Sequence, residues 1–329
     1  MNGKHSRFTI IALSLVAVFM LALAAGCTTP STTTPAATQA PAAAPAIADP
    51  AGTQAAPAAT AAAAPAATAA PVSSGERQTI KISGSTTVLP IVQTAADQSM
   101  ATHANADIPV SGGGSGVGIQ AIGAKTVDIG MSSREVTSAE KAKYPAFVIT
   151  PVAQDGIAVI VNPANEIQFI TLDQIKNIYM GKTTKWTEIT GANVPGTNNQ
   201  IVVIGRDSAS GTRSYFDEVL LAKKTPTKQM LEKNSNGAVL QTVAQTPGSI
   251  GYVSIGFVSN DVKALPVWYN ADRIVAPSLA TVKDKSYPVS RELYVITNGQ
   301  PSGLAGDFIQ YILSADGQKI VADEGYVTV

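Results

Sequence analysis

Short runs of apolar, often β-branched residues alternate with longer helical stretches along residues 76–329. Val88, Ile91, Val92 and Ala95 show the helical spacing, in which apolar residues recur on one face of a turn. Alternation of the two patterns predicts an α/β fold. The predicted strands are 79–82, 108–110, 127–130, 156–161, 201–205, 249–253 and 292–297, and the predicted helices are 88–100, 172–180, 215–222, 303–314 and 317–323.

The N-terminal 27 residues have the pattern of an export signal. Lys4 and Arg7 precede an uncharged apolar run over residues 8–25. Residues 23–27 resemble a lipobox, after which the cysteine of a bacterial-type lipoprotein is lipidated, although the leucine lies one position further from Cys27 than usual. We therefore expect a lipid at Cys27. An uncleaved helix is the alternative, because the run is at the short end of the roughly 17–25 residues that span a bilayer.

Residues 28–75 consist almost entirely of Ala, Thr, Pro and Ser. Such a composition cannot bury a hydrophobic core, so we predict a disordered tether over residues 28–77. The remainder of the chain is long enough for two domains of ordinary size or one large one. Whether the leader ends in a lipid at Cys27 or remains as an uncleaved helix, the remainder of the chain is expected to lie outside the cytoplasm, tethered to a membrane.

Composition excludes several kinds of function. The chain contains two His and one Cys, whereas a zinc or iron–sulfur site needs three or four such ligands, so we expect no metal and no cofactor. The 23 Lys and Arg residues balance 23 Asp and Glu residues. Proteins that bind nucleic acid carry a clustered basic excess, and we therefore expect no nucleic-acid partner.

Three segments share one local plan, in which a short strand leads into glycine and hydroxyl residues that open a helix. They are residues 80–87, 110–118 and 201–212. A helix N-terminus has unpaired N–H groups and a partial positive charge, and Ser, Thr and Gly add donors and close backbone approach. Arg206 can supply a formal charge through a two-pronged hydrogen bond. Capping and turn chemistry explain each segment alone, but three together favour an oxyanion site.

A fourth segment, residues 127–135, ends a predicted strand with two hydroxyls and an arginine. Turn chemistry is sufficient to explain Ser132 and Ser133. For Arg134 we favour a salt bridge over contact with a ligand. Beyond it, residues 137–140 have the Thr-x-x-Glu spacing of a capping box.

Catalytic interpretations are weaker. Residues 118–126 differ from a phosphate-binding P-loop by the inserted Ala124. Neither Ser115 nor Ser210 lies in the Gly-x-Ser-x-Gly turn of serine hydrolases. His103 is the only histidine outside the leader that could act as a base, and we expect it to be exposed at a helix end.

From Thr79 to the C-terminus the chain resembles the phosphate-binding proteins of ABC-type phosphate uptake systems. Arg-x-x-x-Ser-Gly-Thr after a strand is the most specific part of the resemblance. The matching motifs are Gly-Ser-Thr-Thr-Val-Leu-Pro at 84–90, Gly-Gly-Ser-Gly at 113–116, Asp-Ile-Gly-Met-Ser-Ser-Arg at 128–134 and Arg-Asp-Ser-Ala-Ser-Gly-Thr at 206–212. Residues 171–175, 247–252 and 288–291 are also similar, and we interpret them as structural.

The resemblance implies that Arg206 supplies the positive charge for phosphate while hydroxyl and backbone groups donate hydrogen bonds. Many family members have an acidic residue at the position of Ser133, where it accepts the proton of hydrogen phosphate. We favour Asp155 as the replacement acceptor; Ser133 itself, Asp207 and a simple turn-capping role for Asp155 are the alternatives. The implied phosphate-binding residues are Thr86, Thr87, Ser115, Ser133, Arg206, Ser210, Gly211 and Thr212.

The family fold is a two-lobed periplasmic-binding-protein clamp of type II, with discontinuous lobes and a hinge that the chain crosses twice. The resemblance assigns residues 78–157 and 262–329 to lobe one and residues 158–261 to lobe two. The anion would then be held only when the lobes close.

The sequence therefore predicts a monomeric receptor that binds inorganic phosphate outside the cytoplasm and serves an ABC permease, without enzyme activity. A receptor for sulfate, molybdate or another tetrahedral oxyanion is an alternative in the same class. An extracytoplasmic phosphate-ester hydrolase and an adhesive or structural lipoprotein are alternatives from other classes.

Overall fold

The computed structural model describes residues 76–269 and 273–329. The predicted leader, tether and lipid site at Cys27 lie outside these residues. Over the described ranges, no helix has both the length and the apolar character needed to cross a membrane.

Strands and helices alternate along the described chain, which confirms the predicted α/β pattern. The strands are β1 (Gln78–Thr79), β2 (Ile82–Gly84), β3 (Ala106–Asp107), β4 (Val110–Ser111), β5 (Ile129–Ser132), β6 (Phe147–Val161), β7 (Ile170–Thr171), β8 (Val202–Arg206), β9 (Leu231–Lys233), β10 (Ser249–Ser254), β11 (Lys263–Ala264), β12 (Val267–Tyr269), β13 (Arg273–Val275) and β14 (Ser290–Asn298). The helices are α1 (Leu89–Thr102), α2 (Ser115–Gly123), α3 (Ser138–Lys143), α4 (Leu172–Tyr179), α5 (Gly211–Val219), α6 (Asn236–Gln245), α7 (Leu279–Lys283), α8 (Gly303–Leu313) and α9 (Ala315–Asp323).

Hydroxyl side chains begin several of these helices. Thr137 accepts a hydrogen bond from the Glu140 N–H, and the Glu140 carboxylate accepts one from the Thr137 N–H, which confirms the predicted capping box of α3. Ser210 caps α5 by accepting from the Arg213 N–H. The apolar pattern does not predict α6, although Ser235 caps it in the same way.

One continuous sheet organises the described part of the chain. Its strand order is β4-β2-β5-β14-β6-β10-β8-β9, with β11 also paired to β6. Strand β6 is 15 residues long and pairs with β14 over residues 147–156 and with β10 over residues 157–161. Its first part is not predicted from the sequence, because Pro151 argues against a central strand. The sheet accommodates this proline through a register shift, in which Val152 is the extra residue in β6 between the partners of Leu293 and Tyr294.

Two large hydrophobic cores lie on either side of the point where β6 and β14 run side by side. The first contains the buried face of α1 and residues such as Met131 and Leu293. The second packs Tyr179, Phe216 and Tyr252 against the far end of β6. Each core removes a separate set of apolar surfaces from water, so the described chain forms two lobes joined by crossing strands.

How the chain divides between the lobes stays a proposal, and the packing favours a boundary that differs from the predicted one at residues 261 and 262. Strand β12 pairs with β7, and Val267, Val282 and Tyr287 belong to the second core. We propose that residues up to about Val289 belong to lobe two and that the chain crosses back along β14. The sequence of residues 262–289 does not predict this packing, because the elements that form it are short strands and one short helix.

Candidate anion-binding site

The three predicted loops converge between the two cores. In the first loop, Gly84 has a φ of 142°, and a Cβ at this position would collide with the Met131 backbone. This close approach places Thr86 and Thr87 directly before α1. Both threonines are buried, and the Thr87 carbonyl accepts a hydrogen bond from the Tyr326 hydroxyl at 2.8 Å.

The second loop brings Ser115, the first residue of α2, against Ser133, which follows β5. The Ser115 Oγ accepts from the Ser133 N–H at 2.9 Å and lies 3.3 Å from the Ser133 Oγ. Both side chains are buried in lobe one. One of the two hydroxyls donates to the other, which leaves one hydroxyl proton of the pair for an anion.

The third loop belongs to lobe two and faces the second. Gly211 is the first residue of α5, and a Cβ added to it would collide with the Ser115 Oγ and lie 2.8 Å from the Ser133 Oγ. The lobes also meet through the backbone, where the Gly116 N–H donates to the Ala209 carbonyl at 3.0 Å. The loop thus requires glycine because the opposite lobe is in contact with it.

Arg206 ends β8 and is 1% exposed. Its Nε donates to the Lys233 carbonyl at 3.2 Å, and its Nη2 donates to the Asn234 carbonyl at 3.1 Å and to the Thr86 Oγ1 at 3.2 Å. Its Nη1 has no hydrogen-bond partner among the described residues. Burial lowers the pKa of Arg206 to about 10, so the guanidinium remains charged at neutral pH.

Hydroxyls of both lobes meet beside this arginine. The Thr87 Oγ1 lies 3.1 Å from the Thr212 Oγ1 and accepts from the Asn236 Nδ2 at 2.9 Å. Asn236 is fully buried at the start of α6, and its Oδ1 accepts from the Ser254 N–H at 3.2 Å. Asn236 is not predicted as a site residue, because it begins α6, a helix that the apolar pattern does not predict.

Arg291 is the second buried arginine of this region, although its segment is predicted from the sequence to be structural. Its Nε and Nη2 donate to the Asp155 Oδ2 at 3.0 and 2.7 Å. Nη2 also reaches the Thr212 Oγ1 at 3.0 Å. A signal is present in the sequence, since Arg291 shares the buried face of β14 with Leu293 and Val295, and a charge at such a position needs a partner.

Asp155 differs from both of its sequence interpretations. It lies inside β6 rather than at a turn. Its Oδ1 accepts from the Ser254 hydroxyl and the Ile255 N–H, and its Oδ2 accepts twice from Arg291. Burial raises the pKa of Asp155, and the charge of Arg291 opposes that shift. Four donors occupy the roughly four lone-pair positions of a carboxylate, which argues against a further role as acceptor for phosphate.

Three other residues considered as candidates are not among the proposed ligands. Arg134 forms the predicted salt bridge, with its Nη2 2.8 Å from the Glu140 Oε1, and its hydrogen bonding lowers the pKa of Glu140 to about 2. The Asp207 Oδ1 accepts from the Ala209 N–H at 2.9 Å. His103 is exposed at the C-terminus of α1, as predicted.

The molecule has two lobes joined by crossing strands, with buried cationic and hydroxyl groups between them. This architecture is that of a two-lobed solute-binding protein. The PBP superfamily domain matches residues 35–316. The phosphate-binding protein PstS of Bacillus subtilis is 34% identical over 253 residues, which are 76% of this chain and 81% of that relative. The PstS of Borreliella burgdorferi is 30% identical over 262 residues, 76% of this chain and 90% of the relative. The chain therefore belongs to the PstS phosphate-binding protein family.

Solved structures agree with this assignment. A putative phosphate ABC transporter substrate-binding protein from Clostridium perfringens, with bound phosphate, is 32% identical with a TM-score of 0.70, and the match covers 77% of this chain and 100% of that one. An ABC-type phosphate transport receptor from Vibrio cholerae is 29% identical with a TM-score of 0.62, covering 76% and 100%. The predicted two-lobed periplasmic-binding-protein fold is confirmed.

Proposed function

We propose that this protein is an extracytoplasmic receptor that binds inorganic phosphate between its lobes and delivers it to an ABC-type permease. Family membership and the phosphate in the Clostridium perfringens structure support the choice of ligand. The proposed ligands are Thr86, Thr87, Ser115, Ser133, Arg206, Ser210, Gly211 and Thr212.

The observation that carries this proposal is the environment of Arg206. A buried guanidinium is unfavourable unless charge and hydrogen bonds compensate it, and two backbone carbonyls and one hydroxyl leave its Nη1 unpaired. An oxyanion would supply both the missing acceptor and the missing negative charge. The N-termini of α2 and α5 meet at Ser115 and Gly211, and a helix N-terminus carries partial positive charge that favours an anion.

Another tetrahedral oxyanion is the second candidate, and one observation favours it. Hydrogen phosphate presents a donor, and an unsatisfied buried donor costs about 1–3 kcal/mol. Ser133 replaces the acidic acceptor of many family members, and the oxygens of Asp155 are already used. A hydroxyl such as that of Ser133 can still accept a hydrogen bond from hydrogen phosphate, and phosphate therefore stays the first candidate.

Calorimetric titration of the full-length protein with phosphate, sulfate and molybdate tests the proposal. We expect the tightest binding for phosphate, with a weaker response to the other two anions. Tighter binding of sulfate or molybdate would reassign the ligand, and no binding of any of the three would remove the receptor function.

We further propose that the protein is not an enzyme. The relatives are named as binding proteins, and His103, the only histidine among the described residues, is exposed far along α1 from the loops. A nucleophile activated by histidine therefore has no base near the site. Release of a chromogenic alcohol from a phosphate ester by the purified protein would overturn this part.

Attachment to the membrane through a lipid on Cys27 remains part of the proposal. We expect Cys27→Ser to convert a detergent-extracted membrane protein into a soluble or signal-retaining form, because the only thiol available for lipidation is lost. Phosphate affinity should be unchanged. Fractionation and mass spectrometry of the N-terminal peptide measure the result, and a wild-type peptide without lipid mass would favour the uncleaved helix.

A further inference from the structure

Arg291 and Asp155 occupy the point where the chain passes between the lobes. They are directly opposite each other in the antiparallel pairing of β14 with β6. Strand β6 continues past Asp155 from the first core into the second, and β14 begins directly after Val289 of the second core, so both residues lie where the chain passes between the lobes. Their side chains are 2% and 0% exposed. The pair is therefore a buried ion pair at the crossing, next to the candidate anion site.

Arg291 contacts the anion loops of both lobes. Its Nη2 donates to the Thr212 Oγ1 of lobe two at 3.0 Å and lies 3.4 Å from the Thr87 Oγ1 of lobe one. Its Nη1 has no hydrogen-bond partner within the described ranges. Thr87 and Thr212 are two of the proposed phosphate ligands, so the unpaired Nη1 belongs to a group that already touches the site.

The two buried arginines repeat one arrangement. Arg206 donates to Thr86 and Arg291 approaches Thr87, and each retains an unpaired Nη1. They are close enough that the positive charge of Arg291 adds to the decrease that burial causes in the pKa of Arg206. Asp155 is ion-paired with Arg291, whereas Arg206 has no ion pair among the described residues, and the carboxylate of its neighbour Asp207 only partly offsets the effect of burial on its pKa. The excess positive charge is unfavourable in a buried site until an anion enters.

We propose that Arg291 is a second guanidinium ligand of the bound anion and that Asp155 is the positioning residue that holds it. This inference rests on the proposed function, because it assigns a further residue to the same site. Asp155 holds the Nε and Nη2 of Arg291, and the same Nη2 also reaches Thr212, so the planar guanidinium is fixed beside the threonines while its Nη1 stays unpaired among the described residues. Because β14 crosses between the lobes, Arg291 can hold the anion together with residues of either lobe.

The proposal also changes the role expected of Asp155 in selectivity. A carboxylate that accepted the proton of hydrogen phosphate would favour phosphate over fully deprotonated sulfate. A carboxylate that acts through Arg291 would support both anions equally, since both are dianions at pH 8. Asp155→Asn should therefore weaken phosphate and sulfate binding by similar factors, leaving their ratio unchanged.

Calorimetry on the full-length protein tests the inference with Arg291→Gln, Asp155→Asn and the combined variant. Losing one charge-assisted hydrogen bond in a buried site corresponds to about a 10- to 100-fold weaker phosphate affinity. We expect this loss for Arg291→Gln and a smaller one for Asp155→Asn. The combined variant should bind no more weakly than Arg291→Gln, because a positioning residue has no effect once the residue it positions is gone.

Folding is monitored by thermal unfolding, since one unpaired buried charge can destabilise the protein. The combined variant removes both charges, and Arg291→Lys retains the charge without the planar geometry; both should bind phosphate more weakly while unfolding cooperatively. Arg134→Gln is the matched control, because it breaks an arginine–carboxylate pair with Glu140 outside the site, and its affinity should equal that of the wild type.

Wild-type affinity in Arg291→Gln, Arg291→Lys or the combined variant would overturn the inference and leave the proposed function intact. Additive losses, or a phosphate-to-sulfate ratio that shifts toward sulfate in Asp155→Asn, would overturn the positioning role and restore Asp155 as an independent acceptor. No binding by the wild type would overturn the proposed function itself.

Discussion

Replacing Arg206 with alanine is expected to abolish measurable phosphate binding. The substitution removes the buried charge at the end of β8 and the unpaired Nη1 that the anion would satisfy. A hydrogen bond to a charged group contributes about 1.5–3 kcal/mol, and each 1.4 kcal/mol changes the dissociation constant about tenfold. Two such bonds correspond to roughly two or more decades, which calorimetric titration with phosphate measures directly.

Two further variants make the interpretation specific. Arg206→Lys should retain part of the affinity, because lysine keeps the charge but loses the planar pair of donors. Arg134→Ala should bind normally, because its partner Glu140 lies outside the site. Near-native phosphate affinity in Arg206→Ala would remove this residue from the site and with it the main support for a receptor.

Gly211→Ala is expected to weaken phosphate binding strongly without unfolding the protein. Its new methyl group would collide with the Ser115 Oγ and lie 2.8 Å from the Ser133 Oγ, both on the opposite lobe. Overpacking of this kind costs about 1–3 kcal/mol, or roughly 10- to 100-fold in affinity if it acts only on the closed form. Calorimetry gives the affinity, and thermal unfolding separates the effect from loss of fold.

Gly237→Ala provides the matched control. Gly237 also lies in the first turn of a helix, α6, and a Cβ there meets no atom within 4 Å. This variant should bind phosphate as the wild type does. Equal affinities for Gly211→Ala and Gly237→Ala would show that the contact between the loops does not form in the bound protein.

The sequence predicts the loops of the candidate site well because their chemistry is local. Arg206 and Ser210 lie in one short segment, and the capping of α5 by Ser210 depends only on nearby backbone atoms. The same holds for the box at Thr137 and Glu140.

The parts that the sequence does not predict depend on contacts between distant segments. Asp155 is paired with Arg291, which is 136 positions away, and Asn236 reaches Thr87 across 149 positions. No local pattern specifies such partners. The sequence does contain a signal for Arg291, because this residue places a charge on the buried face of β14.

The lobe boundaries also depend on tertiary packing that the sequence pattern does not show. Residues 147–155 contain Pro151, which argues against a central strand, yet they extend β6 because they pair with β14. Between residues 262 and 289, the described strands have two or three residues each and the described helix, α7, has five. Its place in the second core follows from tertiary packing, which overrides weak local preference.

Burial of the anion loops also determines how a bound anion would exchange with solvent. Ser115, Arg206 and Thr212 are each at most 1% exposed, and the Gly116 to Ala209 hydrogen bond joins the lobes beside them. An anion held there can leave only after the lobes separate, so its residence time follows the rate of opening, whereas capture depends on encounter with the open form. Contacts between the lobes therefore act mainly on the dissociation rate. Slow spontaneous release would mean that the proposed ABC permease sets the time of delivery, by separating the lobes.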